Sequence, residues 1–284
     1  MPFALHLVCP RLRARPLPIL SPLVHGLLLL ALALLLAPLP ARATCQMLAG
    51  TDPLQRRLPV VMAALAPDQV AITYVGHATF EIETPDGLRI ATDYNAVHRP
   101  ERLPHVVTMN GAHGTHFTLN PDPGIEHVLL GWNPQGGEMT HDLSIRDARI
   151  RNLQTNTRGW DGTTRLLGNS IFVFEVADLC IAHLGHLHHR LTEEDLAVLG
   201  TIDIVMAPVD NASTLKLDTL VDVLAALSPR IVIPMHAYTY GSRESFVARM
   251  SGEGYAVETS DSPRFVARRT GLPVTPTVLV LPER

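Results

Sequence analysis

Three short runs of aliphatic and β-branched residues, 106–109, 179–183 and 231–235, each lead into histidine. His113 and His116 follow the first run, His183 closes the second with His186, His188 and His189 just beyond, and His236 follows the third. Runs of four to five such residues read as buried strands. A chain that repeats this pattern must bring several strand ends to one region, because rigid strands position the loops that follow them and loops carry chemistry. Of fourteen histidines, twelve lie after residue 43. Neutral imidazole is the commonest protein metal ligand, and a catalytic zinc keeps three protein ligands and one open position. One such histidine alone reads as a hydrogen-bonded residue; several after separate strands read as a site.

The other segments support a sheet-rich α/β body. Residues 70–75 and 79–84 are rich in β-branched and aromatic side chains, and Pro85-Asp86-Gly87 supplies a tight turn before a third strand at 88–92. Residues 110–137, dominated by Gly, Asn, Pro and His, read as one long irregular region. A second series of strands is expected at 145–153, 171–176, 179–183 and 202–209. Thr192 with Asp195 three residues on predicts a capping box for a short helix through Leu199. Leu217, Leu220, Val221, Leu224 and Leu227 recur at helical spacing, and Ser228-Pro229 ends that helix. Two halves, each beginning in strands and ending in helix, predict a layered α/β sandwich. With 46% hydrophobic and 18% charged residues in 284, the chain has material for a sizeable core.

Arg11, Arg13 and Arg15 precede an apolar run at 27–37, Pro38, Pro40 and then Ala41-Arg42-Ala43, the three-part pattern of a secretory signal peptide. The uninterrupted stretch is short for a membrane span, which needs about 20 apolar residues. The expected organisation is a signal peptide at 1–43, an irregular segment at 44–69 and one domain at 70–284. This reading places the mature protein in the periplasm or outside the cell, without stable membrane insertion; retention as an anchor is the alternative. Removing the four arginines of the first 43 residues from the 23 basic residues leaves 19 against 27 acids, a balance that disfavours nucleic acid as a partner; the partner expected in its place is a small-molecule substrate. Cys45 and Cys180 remain after the leader; Cys180, among apolar neighbours, reads as core.

Tyr74-Val75-Gly76-His77-Ala78-Thr79-Phe80, Ala112-His113-Gly114-Thr115-His116-Phe117, the 169–175 strand, the segment 183–189 and Pro234-Met235-His236 together resemble the metallo-β-lactamase superfamily, in its lactonase and phospholipase-D-like branch. The resemblance, over residues 70–246, implies a four-layer αββα sandwich with a metal site at one edge of two sheets. It also exposes departures. The family's His-x-His-x-Asp-His loop falls here on Gly111, His113, Thr115 and His116, and its metal-bridging aspartate falls on His186. The histidine expected in the 153–161 stretch is missing. A carboxylate can share two oxygens between cations whereas neutral imidazole offers one lone pair, so these losses point to one ion rather than two.

The resemblance thus implies His113, His116, His186 and His236 as metal ligands, most simply of a single zinc. It implies Asp93 and His113 as residues of the catalytic centre: Asp93 by accepting a hydrogen bond from a ligating histidine, His113 as a fourth ligand or a nearby donor. Asp93 reads equally well as the opening of a turn before Asn95. His77 is expected to buttress the site or cap a strand, His183 to pack in its strand or stand behind a ligand, and at most one of His188 and His189 to reach the metal. The expected chemistry is water attack on an ester, lactone, amide or phosphodiester; a non-catalytic metal- or small-molecule-binding protein is the alternative. Trp132 and Trp160 are candidate pocket walls, with core packing as the plainer role.

Overall fold

The computed structural model describes residues 64–159 and 161–284. The leader, Cys45, most of the 44–69 segment and Trp160 lie outside the described residues.

Two sheets carry the fold. The first is built from β1 (Gln69–Gly76), β2 (Thr79–Glu83), β3 (Arg89–Ala91), β4 (Val106–Met109), β5 (His127–Leu130) and β13 (Arg264–Arg268), in the order β13-β1-β2-β3-β4-β5. The second contains β6 (Asp142–Ile145), β7 (Ala148–Arg158), β8 (Thr164–Val176), β9 (Leu179–His183), β10 (Ile204–Pro208), β11 (Ile231–Met235), β12 (Ala256–Thr259) and β14 (Thr277–Val280). Their order is β12-β14-β11-β10-β9-β8-β7-β6. Alternation along the strands explains the packing. Phe172, Phe174, Ile181, Met206 and Ile233 point inward against Ile72, Tyr74, Phe80, Ile82 and Ile90 of the other sheet. Their neighbours Ile171, Val173, Ala182, Val205 and Val232 point outward.

That outward face is covered by helices. α1 (Glu193–Leu199), α2 (Leu217–Leu227) and α3 (Ser242–Gly252) follow β9, β10 and β11 in turn, and Leu199, Leu220, Leu224, Leu227, Phe246 and Met250 seal the layer. β9, β10 and β11 are mutually parallel, so helical crossovers are required between them. α1 has the expected capping box: the Thr192 hydroxyl accepts from the Asp195 N–H while the Asp195 carboxylate accepts from the Thr192 N–H. α2 ends where Ser228 turns left-handed before Pro229. On the outer face of the first sheet, near β3 to β5, Ala91, Tyr94, Val107, Met109 and Ile125 form a smaller cluster with Phe117 and Trp132. Among the described residues no helix is long and apolar enough to cross a membrane.

Several boundaries differ from expectation. The region 110–137 is not wholly irregular, because β5 pairs with β4 inside it. The strand expected at 145–153 is a hairpin of β6 and β7 that turns at Arg146, whose φ is +50°. The two sheets are not two sequential halves: β13 returns to pair with β1 before β14 enters the second sheet beside β11.

Candidate functional site

The parallel runs of both sheets end at a common edge. Asp93 follows β3, His113 and His116 follow β4, His186 follows β9, Asp210 follows β10 and His236 follows β11. The β1–β2 turn delivers His77 to the same edge. Gly76 adopts φ +146°, and a side chain there would collide with the His98 ring. Two bonds stitch the sheets together at this point: the His236 N–H donates to the His77 carbonyl at 2.7 Å, and His183 Nε2 donates to the Ala78 carbonyl at 2.8 Å. Tyr74 Oη also donates to the His77 carbonyl, at 2.9 Å. His77, Asp93 and His236 all have positive φ, at 54°, 41° and 56°, uncommon values that the surrounding packing must hold.

One ligand atom from each of His77, His113, His116 and His236 lies within 4.8 Å of every other. The His186 ring stands beside this set, its centroid 5.1 Å from those of His113 and His116 and 5.2 Å from that of His236. His116, His186 and His236 are buried, while His77 and His113 are half-buried and bring the cluster to the surface.

Three of the rings, those of His116, His113 and His236, have a polar group behind them. Asp93, wholly buried, accepts from His116 Nδ1 at 2.5 Å and from Asn110 Nδ2 at 2.8 Å. Thr115 Oγ1 lies 2.9 Å from His113 Nδ1. Asp210, also wholly buried, places Oδ1 3.7 Å from His236 Nδ1 and accepts from the Ser213 N–H. The Asn169 side-chain oxygen Oδ1 accepts the His186 backbone N–H at 2.7 Å, which holds the loop that carries this ring. The Asp93 bond turns His116 Nε2 away from Asp93 and toward the other rings; among the described residues His116 Nε2, His77 Nε2 and both nitrogens of His186 and of His236 are buried without a hydrogen-bond partner. A buried, unpaired nitrogen is costly, and the four rings that carry these six atoms, each with one lone pair to offer, make a donor set suited to a nitrogen-preferring divalent cation such as zinc, copper, iron or nickel.

The electrostatics favour the same form of these rings. Burial lowers the pKa of all five histidines, reinforced at His77, His116, His186 and His236 by neighbouring imidazoles; His77 and His186 fall to about 4. Near neutral pH the rings are therefore uncharged, the state that binds metal. Burial pushes Asp93 up to about 6, against the opposing influence of His183 and Asn110.

Of the four histidines expected from sequence, His113, His116 and His236 lie in the tight nitrogen set; its fourth member is His77, while the His186 ring stands beside the set rather than within it. Asp93 does not reach the surface; it stands behind His116. His183 is satisfied in its strand, with Nε2 on Ala78 and Nδ1 accepting from the Gly185 N–H. His189 accepts the Asn156 N–H and stands away from the cluster, and His188 packs beside Thr157. Asp210 was missed, although it follows a buried strand as His236 does. Gly111, where the family places a ligand, has no room for one: a Cβ would lie 2.9 Å from the Trp132 indole and 3.0 Å from the Gly168 carbonyl. Trp132 itself packs against Phe117, its centroid 5.3 Å away, within the outer cluster.

Comparison with known proteins places this geometry. Residues 71–236, more than half of the chain, match the model of the beta-lactamase superfamily domain. A UPF0173 protein of Pyrococcus abyssi is 36% identical over 73 residues, 25% of this chain and 34% of the relative, so the match spans about a third of that relative's length. A Thermotoga maritima protein assigned as a Zn-dependent hydrolase of the metallo-β-lactamase superfamily superposes with a TM-score of 0.56 at 23% identity. The superposition covers 76% of this chain and 100% of that one. A protein from Parabacteroides distasonis, assigned as a metal-dependent hydrolase, gives 0.53 at 16% identity, over 76% and 94% of the two chains. At such identities the structural likeness is one of fold, and the family follows from the domain match: the chain belongs to the metallo-β-lactamase superfamily and carries its α/β sandwich.

Proposed function

We propose that this protein is an exported hydrolase that uses one divalent cation, zinc, to direct water at an ester, lactone, amide or phosphodiester bond of a small molecule. The observation that carries the reading is the convergence of ring nitrogens from His77, His113, His116 and His236, with the His186 ring beside them, and the lack of any hydrogen-bond partner among the described residues for the buried nitrogens His77 Nε2 and His116 Nε2 and those of His186 and His236. When bound, such a cation supplies Lewis acidity and makes water a competent nucleophile near neutral pH. The protein's own part is orientation. Asp93 fixes His116 with Nε2 turned into the cluster, Thr115 does the same for His113, and Asp210 faces His236. Substrate reaches the cluster from the side of His77 and His113, where Tyr238 stands 5.1 Å from His236 by ring centroids. The leader pattern of residues 11–43 supports export.

Metal analysis of untagged protein tests the reading, with about one equivalent expected. His116→Ala and His236→Ala should each lose most of it; protein without stoichiometric metal, or a double variant that keeps it, overturns the proposal. A second reading is favoured by the four-imidazole set itself, since four nitrogens complete a tetrahedron and closed zinc sites are structural. Turnover of any ester, lactone or phosphodiester that disappears in His186→Ala excludes this non-catalytic alternative; a metal-loaded protein inert to such a screen supports it.

A further inference from the structure

The far ends of β7 and β8 reach past the strands that flank them and lie between the two loops that carry the cluster. Gly111 N–H donates to the Gly168 carbonyl at 3.0 Å and Arg165 Nη1 donates to the Gly111 carbonyl at 2.7 Å, which ties the ribbon to the loop of His113 and His116. On the other side the Asn156 N–H donates to His189 Nε2 at 3.2 Å, tying it to the loop of His186. In this antiparallel register Arg165 opposes Thr157 and Arg158 opposes Thr164, so the two arginines leave the ribbon on opposite faces. Arg165 is used as the tie; Arg158, on the other face, lies near enough to His188 for its charge to help lower that histidine's pKa.

Arg158 is the unusual member of its strand. Arg149 and Arg151, also on β7, pair with Asp142 and Glu175. Arg158 has no carboxylate partner among the described residues, and its Nε is buried with no hydrogen-bond partner. Beside it, close enough to feel its charge, His188 has an equally unpartnered buried Nε2, two residues along the chain from His186. The acid nearest in sequence, Asp161, is turned onto Thr163 at the ribbon tip. A half-buried arginine with no carboxylate partner among the described residues and an unused buried Nε–H, held on a ribbon tied to both loops of the histidine cluster, has the form of an anion subsite.

We propose that Arg158 binds an anionic oxygen group, a carboxylate or a phosphate, on the part of the substrate remote from the scissile bond. The proposal rests on the hydrolase reading for the word substrate, and its test does not depend on turnover. Binding of phenyl phosphate, benzoate and neutral benzamide to the metal-loaded protein is measured by calorimetry, and repeated on metal-stripped protein. One or both anions should bind at least tenfold more tightly than benzamide in both forms. Arg158→Gln should abolish that preference and Arg158→Lys retain part of it, as expected for a charge-assisted hydrogen bond in a partly buried site. Because the Arg158 side chain holds no hydrogen-bond or ion-pair partner among the described residues, the Gln variant should melt with the wild type. No anion preference, a preference untouched by Arg158→Gln, or one that vanishes when metal is stripped overturns the subsite. Which anion responds distinguishes a carboxylate-bearing from a phosphate-bearing substrate. Arg158-dependent binding by a protein that shows no turnover would refute the hydrolase and leave the subsite standing.

Discussion

Asp93→Asn isolates the contribution of the group behind one ring. The carboxylate now accepts two hydrogen bonds, from His116 Nδ1 and from Asn110 Nδ2. An amide of the same shape can keep one acceptor, facing Asn110, and must then present its NH2 to His116. His116 Nδ1 becomes the acceptor, the ring proton moves to Nε2, and the lone pair that faced the cluster is lost. Replacing an orienting carboxylate behind a metal-binding histidine typically weakens metal binding about 10- to 100-fold, or about 1.4–2.7 kcal/mol. For a domain of this size 1 kcal/mol moves the melting temperature by about 2–4 °C, so the stabilisation gained on adding zinc should shrink by roughly 3–10 °C. Metal-free protein is the control. Burial already disfavours the charged carboxylate there, so Asn should leave that melting temperature nearly unchanged or raise it. Competition with a chelator gives the affinity and differential scanning gives the shift. A variant that binds zinc as tightly as wild type would refute the orienting role of Asp93.

Three further substitutions test the scaffold. Gly185→Ala forces a side chain onto φ +60° and within 3.0 Å of the Asn169 and Asn110 amides; it should cost at least about 2 kcal/mol in urea unfolding, and an unchanged midpoint would contradict the packing described. Thr192→Ala removes the capping box of α1 and should cost about 1 kcal/mol, with no loss of metal. Glu81, buried on β2 beside Glu83, has its pKa raised by burial and by that neighbour, with Arg102 opposing. A carboxyl raised in the fold costs stability once ionised, and the cost fades as pH falls toward 4.5. Glu81→Gln should therefore unfold at higher urea than wild type at pH 8 and lose the advantage by pH 5; a Gln variant weaker at pH 8 would show that the Arg102 pair dominates.

Elements with strong periodicity were legible before the structure. β4, β9, β11 and α2 were expected at their observed bounds, because their buried residues alternate or recur at helical spacing against a real core. β5 and β12 escaped for other reasons: the three apolar residues of β5, Val128 to Leu130, sit inside a stretch dominated by Gly, Asn, Pro and His and bury only Leu129, and β12 buries none of its residues. α3 buries Phe246 and Met250, four residues apart, within an otherwise polar helix, too thin a stripe to register. Which histidines approach one another depended on facts that spacing does not contain. The left-handed turn at Gly76-His77 swings His77 in among the others, and the wall made by Trp132 closes the place where Gly111 would have offered a ligand. Asp210 lacked only the recognition that a polar residue ending a buried parallel strand shares its edge with the next.

Two of the departures from the family pattern, Thr115 in the loop and His186 beyond β9, have a common electrostatic meaning. Each replaces a carboxylate that would face the metals, yet the site keeps two wholly buried carboxylates, Asp93 and Asp210, set behind His116 and His236. Two buried negative charges offset one dication. A second dication would leave two positive charges uncompensated among uncharged imidazoles, in surroundings where unpaired charge is expensive. Carboxylates placed between two cations can hold them together, whereas carboxylates placed behind rings can only orient and polarise donors to the ion those rings share. The redistribution of acid from the front of the site to its back is thus a reason, independent of the ligand count, for this cluster to hold a single ion.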